Sequence, residues 1–161
     1  MSGTIPDFDA VLLLLPFNEA AGATTLVDRS KYARTVTRGN TPTMVNTRAK
    51  FYATSLAVDA DYISVDSICA AVSGGGAFTI EGWFYRNATS IGTDAYFGFH
   101  SSTYVNRAVF TGSSAYGTTV SGAYSSGSPL NDWHHFAVVR TVNRWKAFIS
   151  GVVVLDVAAA A

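Results

Sequence analysis

A chain of 161 residues, 48% of them hydrophobic, is long enough to enclose a sizeable core and short enough to be one domain. Its net charge is zero and its basic residues, scattered from Arg29 to Lys146, form no run, which disfavours the clustered positive field that nucleic-acid binding requires. Its one cysteine, Cys69, excludes an internal disulfide or a cysteine-rich metal site, and its neighbours Ile68, Ala70, Ala71 and Val72 suit a buried, unreactive thiol. Charged residues make up only 14% of the chain, against about 25% in an average domain. Such a surface is either covered in an assembly or built from Ser, Thr, Gly and Asn.

From the N-terminus, the apolar run Ala10–Pro16 is too short to span a bilayer. No basic segment precedes it, so a secretory signal is not expected. Short β-branched and aromatic runs then alternate with Gly, Ser, Asn and Thr punctuation, which predicts an all-β chain. Strands are expected at Val11–Phe17, Thr35–Thr37, Lys50–Leu56, Tyr62–Val65, Phe78–Tyr85, Tyr96–His100, Arg107–Thr111, Thr118–Ala123, Trp133–Thr141, Arg144–Ile149 and Val152–Val157. The one candidate helical turn is Ser67–Val72. In the Trp133–Arg140 segment, Phe136 and Val138 share one face while Trp133, His135, Ala137 and Val139 share the other. Both faces carry bulk, as a central strand requires. Ser150-Gly151 between two apolar runs predicts a two-residue hairpin. Trp83 breaks the parity of Phe78 and Ile80, which suggests a bulge near Gly82. No repeat or linker interrupts the chain.

Three blocks of residues carry a family resemblance. The first is Leu13-Leu14-Leu15-Pro16-Phe17-Asn18-Glu19 followed by Val27-Asp28-Arg29-Ser30. The second is Asp61-Tyr62-Ile63-Ser64-Val65, then Phe78-Thr79-Ile80-Glu81-Gly82-Trp83-Phe84. The third is Asp132-Trp133-His134-His135-Phe136-Ala137-Val138-Val139-Arg140, then Ala147-Phe148-Ile149-Ser150-Gly151-Val152. In this order they resemble a laminin-G-like domain of the concanavalin A-like lectin/glucanase superfamily, over about Val11 to Val157. The resemblance implies a two-sheet antiparallel jelly-roll sandwich spanning residues 1–161 as a single domain, with Trp83, Trp133, His134 and His135 in structural roles. Family members continue past the hairpin, and their last strand pairs beside the N-terminal one. The chain is therefore expected to be truncated at its C-terminal end, or to have its sheet completed by another chain.

The superfamily includes glycoside hydrolases, whose paired carboxyl groups lie on one strand face at Glu-x-Asp-x-Glu-like spacing. Only Glu19 and Glu81 are glutamates here, and neither has an acid two or four residues away; Asp59 and Asp61 flank Ala60 in a turn-like stretch. No Gly-x-Ser-x-Gly elbow is present, and Gly74-Gly75-Gly76 is not followed by the Lys-Ser/Thr of a phosphate loop. Adjacent His134 and His135 point to opposite faces of a strand and cannot share a metal, although His100 could approach one of them. An enzyme is not expected, nor is a cofactor. The resemblance offers one ion, a rim Ca²⁺ held by loop carboxylates, for which Asp28, Asp59, Asp94 and Asp132 are the candidates.

Between Ser90 and Ser128 the chain is rich in Tyr, Ser, Gly, Thr and Asn, the composition of a binding surface. Tyr104, Tyr116 and Tyr124 are the carbohydrate-binding candidates, while Phe97, Phe99 and Phe110 read as core. The expected function is a non-catalytic structural and binding module at a virion surface, a phage capsid decoration or tail protein, in an oligomeric assembly with other virion proteins and in contact with glycans. The alternative is a carbohydrate-binding adhesive lectin-like domain of an extracellular protein. Neither reading calls for nucleic acid or membrane partners.

Overall fold

β-Branched and aromatic residues at period two give the chain its strands, and the structure, a computed structural model, is all-β. It describes residues 8–58, 61–65, 68, 76–85, 95–98, 108–111, 120–123 and 131–158. Eleven strands lie among them: β1 (Val36–Gly39), β2 (Thr43–Val45), β3 (Ser55–Ala57), β4 (Tyr62–Val65), β5 (Phe78–Tyr85), β6 (Ala95–Gly98), β7 (Ala108–Thr111), β8 (Val120–Ala123), β9 (Trp133–Arg140), β10 (Arg144–Ile149) and β11 (Val152–Ala158). A single 3₁₀ turn covers Phe8–Ala10. Among the described residues no helix is long and apolar enough to cross a membrane. The chain divides into two compact units, Met1–Ile68 and Cys69–Ala161.

In the first unit β1 pairs antiparallel with β4, and β2 with β3. Leu26, Pro42 and Met44 are its buried apolar residues. The expected strand Val11–Phe17 is not one. Its backbone groups are taken up by loop contacts instead: the Leu14 amide donates to Asp28, the Leu14 carbonyl accepts from the Arg29 amide, and Phe17 sits at a φ of 52°. Lys50–Leu56 is strand only from Ser55 onward, and β2 was not anticipated at all.

In the second unit the main sheet runs β11–β10–β9–β5, all antiparallel. β9 is central, as its two bulky faces predicted. Its inner face carries His134, Phe136, Val138 and Arg140, aligned with Phe84, Gly82, Ile80 and Phe78 of β5. On the other side Phe136, Val138 and Arg140 align with Ile149, Ala147 and Trp145 of β10. Val138, Trp145 and Ala147 form the core, with Phe78, Val154, Leu155 and Val157 packed on it. Full burial of side chains such as Val138 and Trp145 contributes about 1.5–3 kcal/mol each. Phe78 meets Trp145 edge-on at 5.5 Å, and the Arg140 guanidinium lies 5.4 Å from the same indole.

The β5–β9 register is continuous through Gly82, so the bulge expected there is absent. Trp83 breaks no parity; it belongs to the outer face with Thr79 and Glu81. A bulge occurs on β11 instead, where Ala147 aligns with Leu155 but Phe148 with Val153. The extra residue, Val154, lets two successive side chains, Val154 and Leu155, both reach the core.

A second sheet runs β6–β7–β8; β6–β7 is antiparallel, but β7–β8 is parallel, a departure from an all-antiparallel arrangement. Apart from Ile68, the expected Ser67–Val72 turn lies outside the described residues.

Two glycines carry separate constraints. Ser150 and Gly151 join β10 to β11 with φ of 47° and 82°, both positive, as a two-residue type I′ hairpin requires. A Cβ on Gly82 would lie 2.8 Å from the Phe136 ring. Gly82→Ala is therefore expected to cost about 1–3 kcal/mol by displacing Phe136. Gly151→Ala, which meets no atom within 4 Å, is expected to cost about 1–2 kcal/mol of backbone strain alone. Urea denaturation of both variants, with the near-ultraviolet aromatic signal, separates the two: only Gly82→Ala should alter the native spectrum.

Candidate functional site

A strand buried on one face presents every second residue on the other. On the outer face of the main sheet β5 places Thr79, Glu81, Trp83 and Tyr85, and β9 places Val139, Ala137, His135 and Trp133 directly opposite them. The result is an aromatic surface at one end of the sheet. Trp83 packs against His135 with centroids 5.2 Å apart and rings tilted by 57°. Tyr85 meets Trp133 edge-on at 5.6 Å. Trp83 nevertheless keeps 41% of its surface exposed. Beside it the Glu81 carboxylate is 66% exposed, with Oε2 3.6 Å from His135 Nε2.

The opposite end of this face is charged. Asp156 of β11 accepts a 2.6 Å hydrogen bond from Arg144 Nε and lies 3.4 Å from Lys146 Nζ. The Arg144 hydrogen bond, assisted by Lys146, holds the Asp156 carboxyl below the usual carboxylate range.

The two histidines take opposite faces, as adjacent strand residues must. His134 is buried against Phe84, with Nδ1 3.3 Å from Ser150 Oγ, whereas His135 belongs to the outer face. Trp83 and His135 both stand on the outer face beside Glu81, while His134 is the core residue. Trp133 is half-buried at the strand end. The sequence parity places Trp133 and His135 on one face of β9, and the pairing of β9 with β5 and β10 decides that this face is the outer one.

Of the calcium candidates, Asp28 is buried and fully engaged. Its Oδ1 accepts from the amides of Leu14 (2.9 Å) and Ser30 (2.8 Å), and its Oδ2 from Ser30 Oγ (2.8 Å) and the Arg34 amide (2.9 Å). The carboxylate thus ties the Leu14 strand-like segment to the Asp28–Arg34 turn. Asp132 is exposed and accepts from the Trp133 amide at 2.7 Å. Asp59 and Asp94 lie outside the described residues, as do the carbohydrate-binding candidates Tyr104, Tyr116 and Tyr124, and Cys69 and His100. Among the described residues no three His, Cys, Asp or Glu side chains converge as a metal site. Glu19 closes a loop in the first unit, where its Oε1 accepts from the Val27 amide at 2.9 Å. Glu81 belongs to the outer sheet face of the second unit.

No protein-family model matches the chain, and neither a curated protein nor a solved structure does.

Burial alone would raise the Asp28 pKa, but hydrogen bonds from the amides of Leu14, Arg34 and Ser30 and from the Ser30 hydroxyl outweigh it and hold the carboxyl below its ordinary value. A depressed folded-state pKa stabilises the fold fully above the unfolded carboxylate pKa and loses that stabilisation as pH falls through the folded value. Asp28→Ala leaves four donors without an acceptor and is expected to cost about 2–4 kcal/mol at neutral pH. Urea denaturation of parent and variant down a pH series should show this gap narrowing in acid; a gap that ignores pH would mean that the charge of Asp28 is not what holds the knot.

Proposed function

We propose that this chain is a non-catalytic jelly-roll module of the laminin-G-like type that serves as a virion surface component, a phage capsid decoration or tail protein, packing against protein neighbours and touching glycans. The observation that carries the reading is the aromatic end of the outer face of the β5–β9–β10–β11 sheet, where Trp83 is exposed and Tyr85 and Trp133 are half-buried beside it. A four-stranded antiparallel sheet with one apolar face needs a second layer over that face, which supports a sandwich. Edge strand β11 adds to the case for assembly: Val152 and Val153 are 65% and 50% exposed at its start. Apolar residues on a sheet edge favour association with another chain unless they are covered in the assembled state.

The second reading, an extracellular adhesive lectin-like domain, is favoured by one specific pairing, the exposed Trp83 beside the exposed carboxylate of Glu81. The two differ in the behaviour of the isolated chain. For the assembly module, sedimentation velocity over a concentration series should show self-association that Val153→Lys abolishes while the thermal melt is unchanged. For the lectin, the chain should stay monomeric and bind selectively on a glycan array run with and without Ca²⁺. A triple variant, Tyr104→Ala, Tyr116→Ala and Tyr124→Ala, run beside it reports whether the tyrosine-rich segment contributes. A monomer that binds no glycan would sink both readings.

A further inference from the structure

We infer that Glu81, Trp83 and His135 form a subsite for a neutral pyranose on the outer face of the main sheet; this deepens the glycan contact proposed above and rests on that reading. A pyranose has an apolar C–H face and a rim of hydroxyls, so its site needs a flat aromatic surface beside a few fixed polar groups. Trp83 supplies the surface. Its indole is 41% exposed, and its contact with His135 at 5.2 Å fixes its orientation. An aromatic held in this way offers contact area at little cost in conformational entropy.

The polar groups fall at the right distance. Glu81 and Trp83 are two residues apart on one face of β5, which places them about 7 Å from each other along the strand. Glu81 Oε2 and His135 Nε2 stand 3.6 Å apart, too far for a good direct hydrogen bond. A hydroxyl seated between them can donate to the carboxylate, which only accepts, and engage the imidazole, which can donate or accept. Ala137 lies directly opposite Glu81 and directly opposite Phe148 of β10. With only a methyl side chain, Ala137 leaves a shallow floor beside Glu81 and His135 on which a ring can rest.

Charge selects the sugar class. Arg144 and Lys146, the cations at the other end of this face, both bind Asp156. Among the described residues of this face, Glu81 is the formal charge nearest to Trp83, and its carboxylate disfavours uronates and sialylated sugars there.

Calorimetric titration of the full chain, with neutral and acidic oligosaccharides chosen from a glycan array, tests the subsite. Neutral glycans should bind. Trp83→Ala should weaken them by at least about tenfold, Trp83→Phe should retain most of the affinity, and Glu81→Gln should weaken neutral sugars several-fold while admitting acidic ones. Glu81→Gln should melt at the parent temperature, since that side chain is 66% exposed. Trp83→Ala gives up the contact with His135 and is titrated well below its own melting temperature, with Trp83→Phe as the variant that keeps an aromatic ring there. The subsite is overturned if Trp83→Ala and Glu81→Gln bind as the parent does, if only acidic glycans bind, or if no neutral glycan binds. Self-association without neutral-glycan binding would remove the subsite and leave the assembly reading standing. Trp83-dependent binding by a strict monomer would do the reverse.

Discussion

The register of β9 is the constraint on which the second unit depends. Each of its residues from Trp133 to Arg140 has a partner on β5, and those from Phe136 onward have one on β10 as well. Side chains alternate with period two, so a slip of one residue would exchange the faces entirely. Val138, now 2% exposed, would turn outward, and Glu81 or His135 would face the core. The inner-face row Phe78–Arg140–Trp145 locks one end of the register, because the indole accepts both the edge of Phe78 and the guanidinium of Arg140. Phe136 under the bare backbone of Gly82 locks the other. The same register that seals the core therefore also places Trp83, His135 and Glu81 together outside it.

The first unit is held by different means. Its paired strands are three or four residues long, too short to be stable alone. Side chains instead satisfy the backbone of irregular segments. Asp28 takes three amides; Arg34 Nε reaches the Leu12 carbonyl at 3.0 Å and Arg38 Nη1 the Pro42 carbonyl at 2.7 Å. The Thr54 hydroxyl sits 2.8 Å from the Glu19 carbonyl and 3.1 Å from that of Phe17, so its one proton serves both or the nearer. Buried backbone groups must find partners, and here polar side chains do what a sheet ladder does elsewhere.

That difference explains what could be read in advance. β4, β5 and β10 were legible to the residue, and β9 and β11 to within one, because their apolar positions alternate, and the turns of the second unit carry Asn131 and Ser150-Gly151 at positive φ. Val11–Phe17 misled because a continuous apolar run has no period to distinguish a ladder from a segment tethered by side chains. The tether itself, Asp28-Arg29-Ser30, binds Leu14 from 14 positions away through Asp28 and again through the Arg29 amide, and nothing local announces that Asp28 will spend its lone pairs there. β2 is three residues long after Pro42, below the length at which periodicity can be counted. The outer-face cluster was hidden for another reason: Trp and His are good core residues, and only the pairing of β5 with β9 decides which of their alternating positions faces solvent.

The outer face is also polarised along its strands. At the hairpin end stand Trp83, Tyr85, Trp133 and His135, with Val152 and Val153 on the far edge strand, β11. At the far end Asp156 is bracketed by Arg144 and Lys146. Exposed ion pairs of this kind contribute about 0–1 kcal/mol to stability, so holding the fold together is a weak account of their placement. Their stronger effect is on the edge of β11. A charged, solvated half-strand resists pairing with a foreign strand, while the apolar half does not. The bulge at Val154 divides the two halves and twists one against the other. The charged end of the sheet therefore holds its water more tightly than the hairpin end, whose aromatic surface is the less costly of the two to desolvate.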